Sequence, residues 1–105
     1  MTVPKLIRDN KVAVLVSAGY GAGWYSWHGD ERLLFDPKIV EMLEAEADFH
    51  DIEIYCESTY GDEIYYGGLY DLCVKWIPVG SQFQVTEYDG AESLTISHEV
   101  KWITA

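Results

Sequence analysis

The most constraining feature of the chain is a junction. Lys11-Val12-Ala13-Val14-Leu15-Val16-Ser17 is a continuous apolar run, and Gly19-Tyr20-Gly21-Ala22-Gly23 follows almost at once. The run is short and rich in valine, so it reads as a strand buried on both faces rather than as a helix. Three glycines at alternate positions do not belong inside a regular element, so the strand must end in a wide loop. Trp24-Tyr25-Ser26-Trp27-His28 continues that loop with an aromatic cluster.

Downstream, Asp36-Pro37 is a helix start, with Asp36 at the N-cap and Pro37 in the first helical position. Ile39, Val40, Met42 and Leu43 recur at helical spacing, and the helix is expected to end near Ala47 or Asp48. Ile52-Glu53-Ile54-Tyr55-Cys56-Glu57 has strand propensity and is taken as a strand, with a continued helix as the alternative. Tyr60 to Tyr70 reads as a loop or edge hairpin. Leu72–Ile77 is a strand stopped by Pro78, with a turn over Val79-Gly80-Ser81. Gln82–Tyr88 alternates cleanly, placing Phe83, Val85 and Glu87 on one face, and Asp89-Gly90 marks a tight turn. Ser93–Ile96 and Val100–Ile103 are the closing strands. The order predicts an α+β fold, an antiparallel-rich sheet with one principal helix packed on one face. At 105 residues it predicts one domain over residues 1–105, residues 1–10 forming an N-terminal arm in which Leu6 and Ile7 are able to dock.

Charge narrows the function. The net charge is −11, with eighteen acids against seven scattered bases. Nucleic-acid binding needs clustered Lys and Arg to neutralise phosphates, and an anionic membrane surface needs the same, so neither partner is expected. No apolar run approaches a membrane span, and Met1-Thr2-Val3-Pro4-Lys5 lacks the apolar core of a secretory signal, so a cytoplasmic location is expected. The acidity itself has two readings, plain solubility or imitation of a nucleic acid by ordered carboxylates that occupy a basic protein. The face around Glu41, Glu44, Glu53 and Glu57 is where such carboxylates would have to stand.

The glycine loop is the first candidate site. Glycines let main-chain amides come close to an anion, and successive amides form a nest that holds it. The spacing at Gly19, Gly21 and Gly23 is that of neither the dinucleotide fingerprint nor the phosphate loop. The loop therefore reads either as a ligand loop or as a turn that packs two tryptophans. In the ligand reading Tyr20, Trp24 and Trp27 offer flat surfaces for a base. Arg32 neutralises its phosphate, or Arg8 does so from the arm of the same or a neighbouring subunit, since guanidinium is the better phosphate clamp. Glu87 or Glu92, in the second polar cluster Glu87–Ser93, accepts hydrogen bonds from ribose hydroxyls or a base edge, unless this stretch is simply a hairpin.

Other chemistry is not indicated. His28, His50 and His98 lack metal spacing. Cys56 and Cys73 form no CxxC pair and read as buried, reduced thiols. Trp76 and Trp102 read as core. Neither a nucleophile elbow nor a metalloprotease motif is present, and no cofactor is expected.

The blocks Val12–Ser17, Gly19–Trp24, Leu34-Phe35-Asp36-Pro37, Glu87-Tyr88-Asp89-Gly90 and Trp102-Ile103-Thr104-Ala105 resemble a family of small proteins encoded in tailed-phage genomes. The resemblance spans most of the chain from Val12. It implies an accessory protein made in the host cytoplasm and carries over no catalytic residues. By analogy with small phage factors that counter host defence, the expectation is a non-catalytic binder. It sequesters a nucleotide-type signal, a cyclic nucleotide or an ADP-ribose derivative, in a homo-oligomer whose interfaces supply the pocket. The alternatives are an acidic inhibitor of a host protein and a small nucleotide hydrolase.

Overall fold

The structure is a computed structural model that describes residues 3–19, 21, 23–61 and 66–96. Strand β1 (Ile7–Arg8) turns into β2 (Lys11–Ser17). Two short helices follow, α1 (Tyr25–His28) and α2 (Glu31–Phe35), then α3 (Pro37–Glu44) and α4 (Phe49–Tyr60). A 3-10 turn over Gly67–Asp71 leads to β3 (Leu72–Pro78), β4 (Phe83–Tyr88) and β5 (Ala91–Ile96). All pairing is antiparallel, β1-β2-β3 in one sheet and β4-β5 in a second, so the fold is α+β as expected.

Strand β2 is the centre of the molecule, and its period of two explains the architecture. Ala13 and Leu15 face one way, into a core with Trp24, Leu33, Ile39, Val40, Ile52 and Cys56 from the helical layer. Val12, Val14 and Val16 face the other way, against Leu34, Phe35 and Ile77, with Phe83, Val85, Leu94 and Ile96 of the β4–β5 hairpin packed over them. The strand is thus buried on both faces, as its unbroken apolar run requires. Helix α2 serves both cores, Leu33 in one and Leu34 and Phe35 in the other.

Three local expectations change. Residues 52–57 lie in α4 rather than in a strand. Asp48 caps that helix by accepting the His50 amide at 2.8 Å, and the i, i+4 pair Ile52 and Cys56 is the buried stripe. The helical layer therefore holds α3 and the longer α4 in place of one principal helix. Helix α3 ends at Glu44, before the expected Ala47 or Asp48, because Glu46 adopts a positive φ of 56° and turns the chain towards α4. Tyr25–His28, expected as part of the loop, is a helical turn.

The arm is also partly ordered into the sheet. Asp9 and Asn10, both at positive φ, form a two-residue turn that pairs Arg8 with Lys11. Asp89-Gly90 makes the equivalent turn between Tyr88 and Ala91, as read from the sequence. The expected strand Val100–Ile103, with Trp102, His98 and the final block, lies outside the described residues. No helix among the described residues is long and apolar enough to cross a membrane.

Candidate functional site

An anion is held beside the glycine loop, by residues that flank the glycines, and it belongs to the chain. The hairpin register sets Glu87 directly opposite Glu92, the first exposed and the second buried. Glu92 is buried beneath the loop. Its Oε1 accepts the Ser17 amide at 2.8 Å, and its Oε2 accepts the amides of Trp24 at 3.0 Å and Ser26 at 2.8 Å. The Ser26 hydroxyl completes the shell at 2.6 Å. Three main-chain donors at the end of β2 and the start of α1 thus converge on one carboxylate, which is how a nest treats an anion.

The glycines follow from this packing. A side chain at Gly19 would run into the Asp71 carboxyl, and one at Gly23 would run into the Trp27 ring and the Ser26 hydroxyl. Gly21 has open space around it but sits at φ 113°, and its amide donates to the Asp89 carbonyl at 2.7 Å. Of the expected phosphate cradle at Gly19, Gly21 and Gly23, the Gly21 amide is taken by the Asp89 carbonyl. The loop is clamped to the β4–β5 hairpin by the Gly21 amide and, on either side of it, by the Ser17, Trp24 and Ser26 amides on Glu92. Tyr20 lies outside the described residues.

The other expected site residues disperse. Trp24 is fully buried, its Nε1 donating to the Leu33 carbonyl at 2.8 Å and its ring 6.1 Å from that of Tyr66, so it has no face to offer a base. Trp27 is 46% exposed and donates to Glu87 at 3.4 Å, so these two residues are brought together at the surface beside the loop. Glu87 also receives the Gly90 amide and closes its own turn. Arg32 is bidentate on Asp30, with a 2.7 Å ion pair that holds the Asp30 carboxyl below its usual range, and it lies over the Tyr60 ring. Arg8 pairs with Glu44 at 2.6 Å and covers Trp76. It stands at the opposite end of β2 from the loop, roughly 20 Å away at strand rise, and does not join it.

A different concavity holds the chemistry suited to a ligand. A cleft of about 1050 Å³, open along one side, lies between the N-terminal segment, helices α1 and α2, and the β4–β5 hairpin. Phe35 and Phe83 meet edge to face at 6.1 Å on its apolar side, beside Tyr25 and Leu34. Lys5 places its ammonium 4.8 Å from the Phe35 ring centre. Glu31, Gln82, Gln84 and Thr95 supply further polar groups around it. Among the described residues Lys5, not Arg32 or Arg8, is the cation that lines this cleft. Its signal in the sequence was weak, a single lysine in a segment read as an arm.

A second cluster is structural. Asp36 caps α3 by accepting the amides of Lys38 at 2.9 Å and Ile39 at 3.2 Å. It also accepts the hydroxyls of Tyr55 and Tyr60 from α4, tying the second helix to the start of the first. Burial, reinforced by the Asp36 hydrogen bond, pushes the Tyr55 hydroxyl up to about 12 and Tyr60 further in the same direction. Burial likewise pushes the Cys56 thiol up to about 12, which keeps it an inert core group at neutral pH.

Among the described residues no group of three or more His, Cys, Asp or Glu gathers as metal ligands. The chain matches no protein-family model, and neither a curated protein nor a solved structure matches it.

Proposed function

We propose that this chain binds and sequesters a small ligand of nucleotide type, returning it unaltered, and that the ligand lies in the Lys5–Phe83 cleft rather than on the glycine loop. The observation that carries the reading is the composition of the cleft. Ring surfaces from Tyr25 and Phe83 stand beside one ammonium, at Lys5, with the amide side chains of Gln82 and Gln84 nearby. A planar base suits the first, a phosphate the second and a base edge or ribose the third. The cleft is large enough for a drug-sized molecule and open along one side, so the reading includes a homo-oligomer in which a second copy covers that side. The role against a host nucleotide signal is drawn by analogy with small phage factors that counter host defence.

The test incubates the purified protein with a panel of cyclic dinucleotides and ADP-ribose derivatives and measures free ligand before and after heat denaturation. The reading expects depletion of one panel member, near one equivalent per cleft, and its full return on heating. Lys5→Ala should weaken that binding by about tenfold or more, the worth of one charge-assisted contact. Conversion beyond one equivalent would replace sequestration with hydrolysis. No depletion of any member would overturn the nucleotide reading.

A further inference from the structure

One wall of the cleft is the edge of a strand. Ser81, Gln82, Phe83, Gln84 and Val85 line the cleft in succession. Side chains alternate between the two faces of a strand, so one face alone supplies only every second residue. An unbroken run requires that the edge of β4, main chain included, borders the cleft. Among the described residues β4 pairs with β5 alone, and β5 is the strand of that hairpin that lies against β2.

The turn decides which groups this edge presents. Asp89 and Gly90 both have positive φ, 52° and 90°, as in a two-residue turn whose flanking residues exchange both main-chain bonds. Tyr88 and Ala91 are that pair, and the bonding alternates from there to Thr86 with Ser93 and Gln84 with Thr95. The N–H and C=O groups of Phe83, Val85 and Glu87 therefore turn away from β5, towards the open edge.

Open edges invite another strand, and chains commonly blunt them with lysine or proline. The edge strand β3 carries Lys75 at its centre and Pro78 at its end. Strand β4, Phe-Gln-Val-Thr-Glu-Tyr, has no lysine, proline or glycine and is rich in strand formers. Its edge is also complementary to itself. A two-fold axis at Val85 sets Val85 against Val85 of a second copy, Phe83 against Glu87, and Gln84 against Thr86. Every outward main-chain group from Phe83 to Glu87 then meets a partner, and no two carboxylates stand opposite each other. An axis at Glu87 would oppose the carboxylates, and one at Gln84 or Thr86 would shorten the overlap.

We propose that β4 pairs antiparallel with β4 of a second copy about an axis at Val85, joining the two hairpins into one sheet and placing the second copy beside the cleft. The pairing is carried by the strand edge. That it completes a ligand pocket rests on the nucleotide reading.

Sedimentation of ligand-free protein tests the pairing apart from the nucleotide. The wild-type chain should form a dimer, and the dimer fraction should rise with salt, because two chains of net charge −11 repel until screened. Gln84 and Thr86 are exposed. Gln84→Glu with Thr86→Glu, or Gln84→Lys with Thr86→Lys, sets like charges opposite each other across the axis. Each double variant should dimerise about tenfold or more weakly, and an equimolar mixture of the two should recover a heterodimer. A dimer of this behaviour that takes up no nucleotide would uphold the pairing and fail only the nucleotide reading. A wild-type chain that stays monomeric at every salt and at millimolar concentration would overturn the proposal and leave the edge for a strand of another protein. So would a dimer that survives both double substitutions, or a mixture that forms no heterodimer.

Discussion

Glu92 and Trp24 are 68 residues apart in sequence, yet the carboxylate of one accepts the main-chain amide of the other at 3.0 Å. That bond, with its companions from Ser17 and Ser26, fastens the glycine loop to the β4–β5 hairpin. It also brings two carboxylates, Glu87 and Glu92, face to face across the hairpin, an arrangement that is unfavourable unless each has donors of its own. Glu87 has the Gly90 amide and the Trp27 indole, and Glu92 has three amides and a hydroxyl.

Removing the Glu92 carboxylate should therefore be costly. Glu92→Ala leaves the buried Ser17 and Trp24 amides and the part-buried Ser26 amide unmatched, and an unmatched buried donor costs about 1–3 kcal/mol, partly relieved by relaxation. A total loss of roughly 3 kcal/mol or more is expected in urea unfolding. Glu92→Gln, which keeps an acceptor oxygen, should lose clearly less. Equal losses for the two variants would mean that shape, not hydrogen bonding, holds the loop.

The glycine loop gives a second test. Gly19→Ala and Gly23→Ala place a methyl group against Asp71 and against Trp27 with Ser26. At Gly23 overpacking of this kind costs about 1–3 kcal/mol, or a fall in thermal midpoint on the order of 4–8 °C per kcal/mol for a domain this small, and at Gly19 the cost is smaller because the exposed Asp71 side chain can move aside. The fall should occur in ligand-free protein. Midpoints that stay unchanged while ligand binding disappears would restore the loop as a phosphate site.

Asp36 should behave as a junction. Asp36→Ala removes the α3 cap and the acceptor for Tyr55 and Tyr60 together. Loss of the cap alone costs about 1 kcal/mol, so the variant should lose roughly 2–4 kcal/mol once the two hydroxyls are left unmatched. Tyr55→Phe and Tyr60→Phe share that acceptor, and the double variant should depart from additivity. Strict additivity in a double-mutant cycle would show that the two hydroxyls act independently.

These features divide into those visible in the sequence and those set by folding. The burial of β2 on both faces was legible because Val12–Val16 has no polar break, and the α3 start because Asp36-Pro37 is a local signal. The α4 helix was not legible. Ile52, Ile54 and Tyr55 favour a strand locally, and the outcome was decided by the Asp48 cap and by packing of Ile52 and Cys56 on the core. That the glycines mark a break after β2 was legible, but the carboxylate held beside them by Ser17, Trp24 and Ser26 was not. Only the register of β4 on β5 aims Glu92 inward, and only the fold of β2 against that hairpin brings Ser17, Trp24 and Ser26 to it. Lys5 reached the cleft through the course of the N-terminal segment, which no periodic pattern in the sequence specifies.

Alkaline pH should weaken the fold. The folded protein holds the Cys56 thiol at about 12 against an ordinary value of 9.0, and Tyr55 at about 12 against 10.0. A folded value above the unfolded one gives stability that is complete below the unfolded value and is lost as pH rises towards the folded value. Stability should thus be level through neutral pH and decline from about pH 9 upward, by up to about 1.4 kcal/mol per pH unit for Cys56. Urea midpoints across this range would show it, and Cys56→Val should flatten the first part of the decline. An unchanged decline in that variant would remove Cys56 as its source.

Where a ligand binds separates the cleft from the glycine loop. Backbone amide mapping by nuclear magnetic resonance, with ADP-ribose and a cyclic dinucleotide as the probes, tests that most directly. Binding in the cleft should move the amides of Lys5, Gln82, Phe83, Gln84 and Thr95, while those of Ser17, Trp24 and Ser26, held by Glu92, stay in place. Movement of Ser17, Trp24 and Ser26 with the cleft amides unchanged would contradict the account and return the ligand to the glycine loop.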